Sequence, residues 1–524
     1  MRHSEQAIQE EIYQSCLTEG KLPYAGQLLA RANTRFPHHD ALITTEYTLA
    51  YQELYYRSLL ISRQLAELGV GKRDRVILYY ENSREFYAAY FGIWQIGAIP
   101  TPINTFLHER ELAYILADAQ PKAIIASPAL MPAILNVFVT GEVAVVPTLS
   151  QDAFDWDSTA PTIVSAETLG VKLEVLDENE LSVLLYTSGT TGTPKGVMLS
   201  SKNVMANAIQ CFTRFTDCGL TSNERFFGVL PLFHVFAQNV CLWLPTLVGA
   251  AVVLVQKIDR KLILEGLALK PTVFFGVPPL YGLLCLMRNA PLNSIKMFVS
   301  GADMLPDKIR AGFAIIYGRK ICAGYGLSEA SPVVAVDHNN AADATYAVGQ
   351  PLVGIICQIR DDAGDPLPTG TMGNLWIKGD NIMLGYYNAP EASAQVLRDG
   401  WLHTGDLGSL DEQGNLAIRG RTKDIIIHKG FNIYPAEIEN ILMMHPAVSK
   451  AAVVGQEDAM SGQVPVAFVA VKHRDALVEA ALRTLCSNNL ATYKVPRKIV
   501  CLEDLPMNAT GKIDKKQLAQ FMTP

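Results

Sequence analysis

Leu181-Ser-Val-Leu-Leu-Tyr-Thr-Ser-Gly-Thr-Thr-Gly-Thr-Pro-Lys-Gly196 joins an apolar, β-prone run to a loop of glycines, hydroxyls and one lysine. The run Leu181 to Thr187 reads as a strand, so the loop springs from a strand end. Gly189, Gly192 and Gly196 lack Cβ atoms and let the main chain approach a ligand closely. Thr187, Ser188, Thr190 and Thr191 supply hydrogen bonds, and Lys195 supplies a positive charge. Donors without bulk beside a point charge are what a polyphosphate requires. The order is not that of a Walker A loop, in which Gly precedes Lys; here Lys195 precedes Gly196. A shorter Gly/Thr stretch reads equally well as a surface loop. At this length and composition phosphate binding is the expectation.

Outward from the loop, short β-branched runs alternate with helical patterns through the first three hundred positions: Arg75 to Tyr80, Ala123 to Ala126, Ala251 to Val255, Thr272 to Gly276 and Lys296 to Ser300. This texture, which includes Leu181 to Thr187, predicts βαβ units and parallel sheets. Ser83 to Ile96 reads as an amphipathic helix with an aromatic stripe. From Val333 to Ile418, Gly, Pro and Asp punctuate short strands, which predicts antiparallel hairpins or a small β-barrel. After Arg421 a compact α+β unit begins. The expected class is therefore α/β: a large N-terminal domain over 1–422, whose part 330–420 is an antiparallel β subdomain, followed by a small domain over 423–524.

With 524 residues the chain exceeds one core, so more than one domain is expected. Its residues are 49% hydrophobic and 18% charged, which suits a globular enzyme rather than a disordered chain. A net charge of -7 without a basic block argues against a nucleic-acid partner. Nine cysteines contain no C-x-x-C pair, which fits a reduced cytoplasmic setting better than disulfides or zinc. The polar start Met1-Arg-His-Ser lacks a signal-peptide core. The longest apolar run, Val240 to Val255, is short for a bilayer and is divided by Pro245 and Gly249 into a helix-like and a strand-like half. It reads as core, with contact at a membrane surface left open.

Further motifs follow in order: Pro231-Leu-Phe-His-Val-Phe236, Ser300-Gly-Ala-Asp-Met-Leu-Pro306, Ala323-Gly-Tyr-Gly-Leu-Ser-Glu-Ala330, Trp401-Leu-His-Thr-Gly-Asp406 with Gly420-Arg-Thr-Lys-Asp424, Lys429-Gly-Phe-Asn-Ile-Tyr-Pro435, and Pro506-Met-Asn-Ala-Thr-Gly-Lys-Ile-Asp514. Two of them follow expected strands, where α/β sheets place ligand crevices. Glu329 beside a phosphate site would be repulsive without a cation, which implies Mg²⁺. Together with the loop Tyr186 to Gly196, these segments resemble the adenylate-forming superfamily, in particular medium- and long-chain fatty-acid–CoA ligases. The resemblance runs from about Pro23 to Lys516.

The resemblance implies a two-step reaction. A carboxylic acid attacks ATP to give acyl-AMP and pyrophosphate, and CoA then takes the acyl group and releases AMP. It implies an ATP site built from Thr187, Ser188, Gly189, Thr190, Thr191, Lys195, Gly301, Ala302, Gly324, Tyr325, Gly326, Ser328, Asp406 and Arg421. Asp406 would accept from the ribose hydroxyls, as an acceptor-only carboxylate suits a diol, and Tyr325 would stack on adenine. His234 would lie over the substrate carboxylate. Amino-acid-activating relatives carry Phe-Asp where this chain has Phe233-His234, so a fatty or aryl acid is expected instead. Lys512 would be the catalytic lysine of the C-terminal domain, Lys423 its hinge, and Lys429, Gly430 and Phe431 would border CoA. Ile427 stands where some relatives have a further lysine, so no role for that lysine carries over. Two rival functions remain at this stage. One is an acyl-AMP ligase that loads an acyl carrier protein. The other is an inactive nucleotide-binding module, opposed by the joint presence of Lys195, Glu329, Asp406, Arg421 and Lys512.

Overall fold

The computed structural model describes residues 22–521 apart from 157–159, 162–163, 188–193, 222, 338–345, 430, 459–460, 472–475 and 508–511. Its largest sheet contains parallel neighbours in the order Cys322–Gly326, Met297–Ser300, Val273–Gly276, Arg225–Gly228, Ala251–Leu254 and Asp40–Ile43. Alternation along these strands sends apolar side chains both ways. Phe227, Val253, Phe274 and Phe298 pack against the helices Arg260–Ala268, Pro278–Leu286 and Asp307–Tyr317. Phe226, Val252, Phe275 and Val299 belong to the core on the other face. A parallel strand covered on both faces needs this continuous apolar character.

The antiparallel strands predicted after Val333 join the same sheet edge to edge. Val333–Val336 pairs with Cys322–Gly326, and the order continues through Ala347–Pro351, Leu416–Arg421, Trp401–Leu410, Gly373–Lys378 and Ile356–Arg360. A second parallel sheet is built on Arg75–Tyr79, flanked by Ile99–Pro102 and Ala123–Ala126.

Three local expectations are corrected. The helix Arg84–Gln95 is not amphipathic, because every residue from Glu85 to Gln95 is buried. It lies in one core with strands of both parallel sheets and so has no solvent face. Ser83 caps it, its side chain accepting from the Phe86 amide at 3.2 Å. The strand Leu181–Thr187 pairs antiparallel with Lys195–Ser200, and Gly385–Tyr386 forms the third strand. Its short loop permits a hairpin, whereas a parallel pair needs a long crossover. The run Val240 to Val255 does divide into a helical and a strand half, Ala251–Leu254, but at Gly249 alone and not at Pro245. Pro245 sits inside a helix that passes through Val235–Gln238, a π turn at Asn239–Trp243 and Leu244–Val248 before Gly249 ends it at φ 74°. Proline lacks the N–H that would bond the Cys241 carbonyl. The buried Tyr87 hydroxyl donates there instead, at 2.6 Å.

Beyond Arg421 a separate five-stranded sheet carries its own core around Ile433, Ile438, Val453, Val469 and Leu482. The strand Phe431–Ile433, not anticipated from sequence, makes a hairpin with Ile426–His428. This unit touches the large one through a few polar contacts. Lys308 Nζ donates to the carbonyls of His445 (3.0 Å) and Val448 (2.9 Å), and Asn440 Nδ2 donates to Asp307 Oδ2 (2.9 Å). Among the described residues no helix is long and apolar enough to cross a membrane.

Candidate functional site

The hairpin register puts Thr187 opposite Lys195 at the mouth of the glycine-rich loop. Ser188, Gly189, Thr190 and Thr191 lie outside the described residues. At the base of the loop a Cβ on Gly196 would stand 3.0 Å from Leu184 Cδ1 and 3.1 Å from Tyr387 Cβ, so the glycine admits the third strand. That strand delivers a residue the sequence reading missed. The Lys195 ammonium lies 5.0 Å from the centroid of the Tyr386 ring, and the Tyr386 hydroxyl donates to Glu329 Oε1 at 2.8 Å. One ring thus ties the loop lysine to the carboxylate. Burial and the neighbouring Glu329 both raise the Tyr386 pKa, so its proton stays on. The signal was Gly385-Tyr-Tyr387, but its partners are distant in sequence.

Glu329 occupies a tight turn, Ser328–Ala330, and its carbonyl accepts from Met383 N at 2.9 Å. The turn approaches its own strand closely: a Cβ on Gly326 would fall 2.2 Å from the Pro332 carbonyl oxygen. Gly324 precedes it on the strand Cys322–Gly326. Gly301 and Ala302 follow the strand Met297–Ser300. The Phe236 ring comes within 3.2 Å of where a Gly301 Cβ would be, and Ala302 holds φ 68°, a conformation costly for a residue with a side chain.

Asp406 and Arg421 face each other across paired strands, with Arg421 Nε 3.5 Å from Asp406 Oδ1. Tyr325 donates its hydroxyl to Asp406 Oδ2 at 2.6 Å. Burial pushes the Asp406 pKa up, while Arg421, Tyr325 and Lys512 oppose that shift. His234 lies in an apolar corner, 4.5 Å ring to ring from Phe233. Burial, helped by the positive charge of Lys512, pushes its pKa down to about 4, so the imidazole is neutral at pH 7. Lys512 therefore acts on both His234 and Asp406 from the C-terminal unit.

The remaining expected positions lie apart from this cluster. Phe431 is exposed and stacks on Tyr493 at 4.9 Å within the small unit, and Lys429 holds φ 50° at the hairpin turn. Gly430 lies outside the described residues. Lys423 sits in the turn Thr422–Asp424 between the two units, and burial depresses its pKa.

Comparison with known proteins matches residues 29–387 to the AMP-binding enzyme family and residues 437–512 to the AMP-binding enzyme C-terminal domain. The chain belongs to the AMP-binding enzyme family. Long-chain-fatty-acid–CoA ligase of Bacillus subtilis (strain 168) is 33% identical over 530 residues, covering 95% of this chain and 94% of that protein. Feruloyl-CoA synthase of Amycolatopsis sp is also 33% identical, over 489 residues, covering 92% and 96%. Among solved structures, O-succinylbenzoate coenzyme A synthetase from Bacillus subtilis in complex with ATP and magnesium ion superposes with a TM-score of 0.83 at 28% identity, covering 94% of this chain and 99% of that one. This AMP-binding enzyme is an AMP-forming acid–CoA ligase that works through an acyl adenylate.

Proposed function

We propose that this ligase activates a medium- or long-chain fatty acid. The observation that carries the reading is the buried, apolar setting of His234. Phe233 lies 4.5 Å ring to ring from His234, and Phe236, two positions on, packs against Gly301 and meets the Phe275 ring edge-on at 6.0 Å. No carboxylate occupies the place of His234, so an α-ammonium finds no counter-charge there, while an apolar chain buries its surface at about 25 cal/mol per Å². A flat aryl acid is the second reading, supported by the equal identity to a feruloyl-CoA synthase. Adenylate formation measured as pyrophosphate release over matched fatty, aryl and amino acids tests this. Fatty acids should give the highest kcat/KM. A clear preference for cinnamate-type acids would move the assignment to the aryl branch.

ATP would be held by Lys195 and the loop on its phosphate side, and by Asp406 with Arg421 on its ribose side. Mg²⁺ fits Glu329 in one specific way. One carboxylate oxygen is taken by Tyr386, and no group of three or more His, Cys, Asp or Glu side chains exists among the described residues. A magnesium site made of one carboxylate plus substrate phosphates and water is an ordinary arrangement. The ion supplies charge neutralisation at the phosphates, and Tyr386 orients the carboxylate. Tyr386→Phe should raise the KM for MgATP about tenfold, the worth of one hydrogen bond to a charged group. Equilibrium unfolding should show little loss, and an unchanged KM would make the Tyr386–Glu329 bond incidental.

In this reading Lys512 meets the reacting carboxylate and α-phosphate during the first step. The second step requires the small unit to turn about Lys423 and bring the hairpin of Lys429 and Phe431 towards the acyl adenylate. CoA is the proposed acceptor, its thiol attacking without help from a protein cysteine.

A further inference from the structure

Two buried side-chain amides, absent from every motif above, hold the turn that presents His234. Asn82 follows the strand Arg75–Tyr79. Its Nδ2 donates to the carbonyls of Leu230 (2.9 Å) and Val255 (3.1 Å), and its Oδ1 accepts from Leu232 N (2.8 Å). Gln238 is fully buried and donates Nε2 to the Phe233 carbonyl at 3.2 Å. Its Oε1 accepts from the Tyr90 hydroxyl at 3.0 Å, and Tyr90 in turn accepts from Trp243 Nε1 at 3.2 Å. Main-chain bonds complete the frame: His234 N donates to Pro231 O and Gln238 N to His234 O, both at 3.0 Å.

Burying amides in a core of Phe, Tyr and Trp is costly unless every group is partnered. Methionine or leucine would fill the same volume without that requirement. What the amides provide is direction. The turn between the strand Arg225–Gly228 and the helix beginning at Val235 has carbonyls and amides that neither element satisfies. Asn82 reaches it from another sheet, and Gln238 reaches it from the helix that follows. We propose that Asn82 and Gln238 are positioning residues for acid activation that lock the Leu230–His234 turn and so fix the His234 ring over the substrate carboxylate. The inference rests on the reading of His234 given above. A ring displaced by about 1 Å is enough to cost on the order of a hundredfold in rate.

Gln238→Met keeps the side-chain length and removes both bonds. Its adenylation kcat should fall roughly tenfold to a hundredfold, with the KM for ATP unchanged. The decisive readout is the titration of His234 by NMR in histidine-labelled enzyme, assigned by its loss in His234→Ala. In the wild type, burial and Lys512, the charged group acting on the ring, hold this pKa at about 4. Loosening the turn admits water, so in Gln238→Met it should move up towards 6.5. Asn82→Leu cuts the other end of the turn and should give the same signature, which keeps the test intact if one variant folds poorly. Tyr90→Phe leaves the Gln238–Phe233 bond in place. It should lower the Tm without moving the His234 titration. A wild-type His234 titration and kcat per folded enzyme in both Gln238→Met and Asn82→Leu would overturn the proposal. If His234→Ala adenylates normally while the titration still shifts, the turn is held as described and the reading of His234 is what fails.

Discussion

Lys512→Ala should slow acyl-adenylate formation by roughly a hundredfold or more, while thioester formation from supplied acyl-AMP and CoA stays within about twofold of wild type. The carboxylate's attack on ATP gathers negative charge on carboxylate and phosphate oxygens, and Lys512 brings a compact ammonium to the His234 and Asp406 side of the cleft. A preorganised cation in a site with little water contributes far more than a surface charge. Removing one such contact typically costs about 3 kcal/mol of transition-state stabilisation. In the proposed rotation the second step would use another pose of the small unit, with no need of that charge. Lys423→Pro should show the reverse pattern, because a fixed φ in the turn Thr422–Asp424 hinders rotation without touching the ATP site. Rapid-quench measurement of both half-reactions in both variants decides this. Equal losses in both steps for each variant would remove domain rotation about Lys423 from the account.

Glu329→Gln should lower the adenylation rate by about two orders of magnitude and raise the Mg²⁺ concentration needed for half-maximal rate. Millimolar excess of the ion should restore part of the loss. The substitution keeps the side-chain shape and leaves an oxygen to accept from Tyr386, so it removes charge rather than the local fold. Charge is what a hard divalent cation would require of Glu329 if the residue holds it as proposed. A Mg²⁺ titration of initial rates checks the outcome. Wild-type metal dependence with a wild-type rate would reduce Glu329 to a hydrogen-bonded turn residue.

The contrast between what the sequence disclosed and what it hid follows from range. The glycine-rich loop, the Glu329 turn and the two strands bearing Asp406 and Arg421 are short segments whose composition states their local chemistry. Buried parallel strands such as Val273–Gly276 betray themselves by continuous apolar character. Pairing partners leave no such mark, so the strand Leu181–Thr187 read as part of a βαβ unit although it belongs to an antiparallel hairpin. The aromatic run of the helix Arg84–Gln95 suggested one apolar stripe, but packing against two sheets buried all of it beyond Arg84. Tyr386, Asn82 and Gln238 escaped for the same reason. Each is an unremarked polar residue whose meaning comes from atoms 57, 148 and 148 positions away, joined only by the fold. The Cys241 carbonyl within the π turn at Asn239–Trp243 likewise takes its donor from Tyr87 across 154 positions, which no local pattern records.

An acyl adenylate should form in this site before CoA takes part. Exchange of labelled pyrophosphate into ATP, measured with a fatty acid and Mg²⁺ in the complete absence of CoA, tests it most directly. Exchange should depend on the acid, persist without CoA and collapse in Lys512→Ala. Acid-independent exchange, or exchange that appears only when CoA is added, would contradict it.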